Sequence, residues 1–234
     1  MRCYAFNMRA AARRFSDRRA AGVELARELR QHALESPLLV LGLPRGGVPV
    51  AAEVARALQA PLDVLIVRKI GLPRQPELAI GAIASGNLIV REPHAALHGL
   101  SEEVFERLAA LERAELERRE RLYRAGRPPL YLHGQTVLLV DDGLATGATM
   151  LVAVRAVRQG GAAKVIVTAP VASHQAVDLL AHEADSVIIL RTPPALFAIG
   201  EWYEDFAQLD DGTVCHLLEQ QRATPEGATD APQP

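Results

Sequence analysis

Val137-Leu138-Leu139-Val140-Asp141-Asp142-Gly143-Leu144-Ala145-Thr146-Gly147-Ala148-Thr149 reads as a strand, a loop and the start of a helix. Residues 137–140 form a continuous apolar run, the pattern of a strand covered on both faces. Two adjacent carboxylates emerge at its end, where burial is costly unless they are solvated or bound to something. Thr146, Gly147, Ala148 and Thr149 then open a helix, whose unpaired backbone N–H groups and positive dipole end favour a phosphate. Gly147 permits close backbone approach, and the threonines add hydroxyl donors. The unit thus sets acceptors suited to vicinal hydroxyls beside a donor nest suited to a phosphomonoester, and a ribose 5-phosphate carries both groups.

The same alternation extends in both directions. Upstream, Leu38–Leu43 reads as a strand, Pro44-Arg45-Gly46-Gly47 as a tight loop and Val50–Leu58 as a helix. Leu62–Val67 reads as a second strand ending in Arg68 and Lys69, followed by a loop over Ile70–Glu77. Ile80–Ala84 and Asn87–Arg91 have the look of a short hairpin. Ser101 caps a long charged helix running to about Arg124. Its apolar stripe of Val104, Leu108 and Leu111 fades beyond Leu116, so the far end is expected to project or to meet a partner. Downstream come a helix to Arg158, a strand at Lys164–Thr168, a helix at Ser173–Ala184 and a strand at Ser186–Leu190. Near the start, Ser16 and Asp17 can cap a cover helix that turns Gly22, Leu25, Ala26, Leu29 and Ala33 inward and Arg18, Glu24, Arg27 and Glu28 to water.

These elements give an α/β fold, a Rossmann-like parallel sheet flanked by helices. In such a sheet ligands bind beyond the carboxyl ends of the strands, so residues 44–47, Arg68 with Lys69, and residues 141–149 are expected to share one rim. The dinucleotide fingerprint Gly-x-Gly-x-x-Gly is absent. A nucleoside triphosphate site would suit the apolar strand ending in Asp141 but needs Gly-x-x-x-x-Gly-Lys-Ser/Thr, which is also absent.

The 234 residues, 49% hydrophobic and 23% charged, suit one large domain over 15–218, with a flexible leader at 1–14 (or a true start at Met8) and a disordered tail at 219–234. A net charge of -2 leaves no basic field for a nucleic-acid backbone, so no nucleic-acid partner is expected. Cys3 and Cys215 suit a reducing compartment, and a cytoplasmic location is expected. The longest uncharged stretch, Leu78–Val90, falls short of the ~20 residues that span a bilayer, so no membrane partner is expected. His94 and His98 are spaced like helical metal ligands, but no third ligand is evident.

Val137–Met150 resembles the phosphoribosyl pyrophosphate signature of type I phosphoribosyltransferases, and Asp141-Asp142-Gly143-Leu144-Ala145-Thr146-Gly147-Ala148-Thr149-Met150 is closest to the adenine enzymes. The span Phe15–Leu217 resembles a bacterial group of predicted phosphoribosyltransferases. The resemblance implies a five-stranded parallel core and a smaller hood, here drawn from parts of 92–130 and 191–218. It also implies Mg2+-dependent transfer of phosphoribose to a nitrogenous base, purine-like by the signature, with release of pyrophosphate; a homodimer is a family-level expectation.

Carried over residue by residue, the resemblance assigns the ribose hydroxyls to Asp141 and Asp142, which also reach the metal through water. Ala145, Thr146, Gly147, Ala148 and Thr149 wrap the 5-phosphate. Arg45, Gly46 and Gly47 form the pyrophosphate loop, with a non-proline cis peptide expected between Pro44 and Arg45. Arg68 and Lys69 match the basic pair that neutralises the leaving pyrophosphate. The Ile70–Glu77 loop, carrying Arg74, is the expected mobile lid. Enzymes acting on hypoxanthine or guanine place an Asp where this chain has Ala145; adenine-type enzymes instead use a lid carboxylate, for which Glu77 is the analogue. Phe197 and Trp202 are the expected base-stacking aromatics, the alternative being a small core beneath the hood. A regulatory module that binds phosphoribosyl pyrophosphate without catalysis is the alternative function.

Overall fold

A computed structural model describes residues 4–6, 14–72, 75–86, 88–91 and 101–222. In chain order the elements are β1 (Tyr4–Phe6), α1 (Arg18–Leu29), β2 (Leu38–Gly42), α2 (Gly47–Leu58), β3 (Leu62–Val64), β4 (Val67–Leu72), β5 (Gln75–Ala84), β6 (Leu88–Arg91), α3 (Glu102–Tyr123), β7 (Thr136–Val140), α4 (Ala148–Gln159), β8 (Lys164–Val171), α5 (His174–Ala181), β9 (Ser186–Arg191) and α6 (Asp211–Arg222). A short 3-10 helix at Ile199–Trp202 lies between β9 and α6.

The main sheet is parallel throughout, in the order β1-β9-β8-β7-β2-β3. Five of its strands form the expected central sheet; the sixth, β1, lies within the segment read as a leader and pairs with β9. Because side chains alternate across a strand, the apolar runs feed two cores. Val137 and Leu139 join α4 and α5 on one face, while Leu138 and Val140 join α1 and α2 on the other. The chain order reverses between β2 and β7, so the loops that follow these two strands leave the sheet side by side at a topological switch point.

Several expectations are corrected. Leu62–Val67 is not one strand: β3 ends at Val64, and Val67 opens β4 in a separate antiparallel sheet of order β4-β5-β6. Ile70–Glu77, read as a loop, is mostly the β4–β5 hairpin. Ile70 and Ile80 are fully buried against Phe105 and Ala109 of α3, which outweighs the turn signals of Gly71 and Pro76. Pro76 is tolerated because β6 pairs β5 only at residues 81–84. The lid residues Pro73 and Arg74, and His94 and His98, lie outside the described residues. The far end of α3 does not project: Leu116 and Tyr123 are buried in the main core. Residues 219–222, read as the start of a tail, are instead helical, because α6 continues to Arg222 and buries Val214 and Leu218; residues 223–234 lie outside the described residues.

One buried ion cluster fastens α3 and α6 to the sheet. The Arg124 guanidinium donates to both carboxylate oxygens of Asp63 at 3.0 Å, and Arg127 lies 3.5 Å from the same carboxylate while donating to the carbonyls of Leu62 and Leu218. Asp63→Ala strips the carboxylate from two nearly buried guanidinium groups. It is expected to cost about 3–5 kcal/mol of stability in a urea melt; a loss near zero would contradict the role of this cluster.

Candidate functional site

The two loops at the switch point touch. Gly42 registers with Val140, and the Leu43 N–H donates to the Val140 carbonyl at 2.9 Å. The Pro44–Arg45 peptide is cis, as expected. Neither glycine of the loop could carry a side chain without displacing a neighbour. A Cβ on Gly46 would lie 2.0 Å from Asp142 Oδ2, and one on Gly47 would lie 2.5 Å from the Val140 carbonyl oxygen. The loop backbone therefore rests directly on the acidic doublet.

The two acids are held differently. Asp141 Oδ1 accepts the Asp142 N–H at 2.9 Å. Asp142 Oδ2 accepts Arg18 Nε at 2.7 Å, and the Asp142 carbonyl accepts the Tyr203 hydroxyl at 2.6 Å. Burial, and then the neighbouring Asp142 charge, push the Asp141 carboxyl well above the usual carboxylate range. Asp142 is also raised by burial, with Arg18 opposing the shift. The doublet thus places charge where it is unfavourable, the condition in which a polyhydroxyl ligand or a cation is welcome.

The third component is the opening of α4. Gly147, the N-cap, takes a left-handed φ of 74° and has no side chain to cap with, while the preceding Thr146 hydroxyl accepts the Ala148 N–H at 3.4 Å. The other helix on this rim, α2, opens at Gly46 and also lacks a side-chain cap. By contrast, Asp17, Ser101, Ser173 and Asp210 cap α1, α3, α5 and α6. Ala145, Thr146 and Thr149 are exposed around the α4 opening. Their loop is anchored from behind, where Ser173 donates its hydroxyl to the Ala145 carbonyl at 2.5 Å and its N–H to the Leu144 carbonyl at 2.9 Å. At α2 the Gly47 and Val48 N–H groups already donate to the Leu43 and Arg45 carbonyls, at 3.0 and 3.3 Å, and Pro49 has none, so it is the α4 opening that can present amides to an anionic group.

The remaining candidates are dispersed. Arg45 is part-exposed, with Asp211 of α6 3.9 Å away. Arg68 and Lys69, adjacent on β4, are engaged differently: Arg68 donates to Glu112 of α3 at 2.8 Å, while Lys69 is exposed. Glu77 falls on the β5 backbone, and its side chain is outside the described residues. Phe197 is 87% exposed, whereas Trp202 packs beside Phe15 and Tyr203. The two aromatics therefore divide, Phe197 being a free ring and Trp202 part of a small core.

Arg18, Tyr203 and Phe206 were not among the expected site residues. Arg18 was expected to face water, yet its side chain is only 11% exposed. Its helical position does look outward from α1, but a segment more than 180 residues later covers it, with its Nη1 donating to the Ala207 carbonyl at 3.0 Å. No local pattern signals such a contact.

The profile of the family described as "Phosphoribosyl transferase domain" matches residues 17–191. A Mycobacterium tuberculosis H37Rv protein, provisionally named as a phosphoribosyl transferase, is 44% identical over 212 residues, covering 88% of this chain and 46% of its own length. A protein from strain CDC 1551, with the same kind of name, matches equally. The chain thus spans about half the length of these curated relatives. Among solved structures, TT1426 from Thermus thermophilus is 45% identical with a TM-score of 0.82, covering 89% of this chain and 99% of that one.

The raised Asp141 makes a prediction about the empty protein. A carboxyl whose folded pKa lies above its unfolded value favours folding in acid, and that contribution disappears as pH rises through the folded value. Asp141→Asn cannot ionise, yet its side-chain oxygen can still accept the Asp142 N–H. It is expected to raise the melting temperature at neutral pH, with the gain vanishing below the ordinary carboxylate range, as read by scanning calorimetry. A lower melting temperature at neutral pH would contradict the burial argument.

Proposed function

The chain belongs to the phosphoribosyl transferase domain family, and from that premise we propose that it is an enzyme transferring phosphoribose from phosphoribosyl pyrophosphate to a nitrogenous base, purine-like by its signature, with Mg2+ and release of pyrophosphate. The observation that carries this reading is the contact at the switch point: an acidic doublet that leads into the glycine-capped opening of α4, with the Gly46 backbone seated on Asp142.

Each part of the donor has a complement. The 5-phosphate takes the amides of Thr146, Gly147, Ala148 and Thr149, together with the threonine hydroxyls. Asp141 and Asp142 accept hydrogen bonds from the ribose hydroxyls, which relieves their crowding. Pyrophosphate lies along Arg45, Gly46 and Gly47, with Lys69 adding charge and Arg68 joining once released from Glu112. As the bond from the anomeric carbon to pyrophosphate breaks, negative charge grows on the leaving group and positive charge on the sugar. The base nitrogen then bonds to that carbon. The cationic side chains stabilise the first charge and the carboxylates the second.

The residues fit Mg2+ as a shared ion. Asp141 and Asp142 would hold it through water, with the donor's own phosphate oxygens supplying other positions. When bound, the ion neutralises charge on the leaving pyrophosphate. On the acceptor side, Phe197 is free to stack on a base, Trp202 backs the adjoining core, and Glu77 is the proposed proton acceptor.

A second reading, a module that binds phosphoribosyl pyrophosphate without turnover, draws support from the engagement of Arg68 by Glu112, which removes one cation from the leaving group. Incubating the protein with Mg2+, phosphoribosyl pyrophosphate and a panel of bases, and measuring pyrophosphate, separates the two. Base-dependent release is expected. Binding without release for any base favours the module, and absence of binding overturns both readings. Asp141→Asn combined with Asp142→Asn is expected to lower turnover by about 100-fold or more while the protein stays folded by circular dichroism. In Gly46→Ala, the added carbon displaces the Asp142 carboxylate, so phosphoribosyl pyrophosphate binding by calorimetry is expected to fall about tenfold or more.

A further inference from the structure

We propose that Arg18 is a positioning residue for Asp142, clamping the second acid of the doublet to the segment after the 3-10 helix; the inference rests on reading this rim as a phosphoribosyl pyrophosphate site. Three contacts fix the guanidinium. Its Nε donates to Asp142 Oδ2 at 2.7 Å, Nη1 donates to the Ala207 carbonyl at 3.0 Å, and its face lies over the Phe206 ring, 3.8 Å from the centroid. Phe206 stacks on Tyr203 at 5.0 Å between centroids, and Tyr203 donates to the Asp142 carbonyl. One segment thus holds Asp142 twice, through its backbone by Tyr203 and through its carboxylate by Arg18.

The base of this assembly is equally well fixed. Arg18 is the first residue of α1, directly after the Asp17 cap, and Phe15 is stitched to the same segment by its N–H to the Trp202 carbonyl at 2.8 Å and by the Glu204 N–H to its own carbonyl at 2.7 Å. The Arg18 and Asp142 side chains are 11% and 12% exposed. A buried ion pair is by itself weak evidence for stability, and this one lies against the Gly46 turn, where the orientation of the carboxylate decides what a ligand meets. A planar fork that donates in two directions while stacking on a ring is geometry that a lysine cannot reproduce. Asp142 therefore has one oxygen spoken for, and Arg18 sets the direction of the other.

Trp202, the only tryptophan in the chain, ends the 3-10 helix directly before the clamping segment and reports on it. Wild type, Arg18→Gln, Arg18→Lys, Phe206→Leu and, as a control, Arg19→Gln on the 75% exposed neighbouring side chain are titrated with phosphoribosyl pyrophosphate and Mg2+ by calorimetry and by Trp202 fluorescence. Arg18→Gln is expected to bind about tenfold or more weakly and to lose the fluorescence change at saturation. Arg18→Lys and Phe206→Leu should fall between, and Arg19→Gln should match wild type. If Arg18 served stability alone, the variant would melt earlier while the folded protein bound normally, and that result overturns the inference. Unchanged affinity and fluorescence in Arg18→Gln overturn it too, leaving the donor reading intact. Failure of wild type to bind removes the donor reading and this inference with it.

Discussion

Two carboxylates placed side by side at the end of a buried strand are the constraint around which this molecule is arranged. Chain connectivity delivers them there, because Val137, Leu138, Leu139 and Val140 must be covered on both faces and the next residues then emerge at the carboxyl rim. Burial raises both carboxyls, and the Asp142 charge adds to the rise at Asp141. Two groups relieve this stress, the Asp142 N–H on Asp141 and the Arg18 guanidinium on Asp142, while the Tyr203 hydroxyl holds the Asp142 carbonyl. What they leave unrelieved is available to a ligand.

The topology explains why one rim collects so many unusual features. Since β2 and β7 are neighbours and their connections run to opposite sides, the cis Pro44–Arg45 turn and the acidic loop diverge from adjacent strand ends. Each leads into a helix whose N-cap is a glycine. The antiparallel β4-β5-β6 sheet and α3 form a separate layer, joined to the main body through Asp63, Arg124 and Arg127 beneath and through the Tyr123–Asp211 hydrogen bond to α6. Asp211 also lies near Arg45, so α6 meets both the end of α3 and the turn.

The parts legible in the sequence were those encoded locally. Continuous apolar runs marked the strands of the parallel sheet, Ser101 and Asp17 marked helix starts, and the composition of residues 141–149 marked the rim. What escaped was encoded by contacts between distant segments. Arg18 reads as a solvated helix residue until Phe206 and Ala207 cover it. Ile70–Glu77 reads as a loop until α3 supplies an apolar face for Ile70 and Ile80, and Arg68 reads as a free cation until Glu112 arrives from 44 residues away. The start of α6 carries Asp210 and Asp211, which a composition-based reading of the C-terminal region passed over, although Val214 and Leu218 recur at helical spacing.

The seating of Gly46 on Asp142 also bears on how this scaffold can diversify. With no room for even a methyl group between turn and acid, neither side of that contact can drift without the other, so the half of the pocket they share behaves as one inherited unit. Phe197, projecting into solvent after the last strand of the sheet, has no such obligation. Variation in what the scaffold accepts would accumulate around that ring, where a new side chain disturbs no packed neighbour.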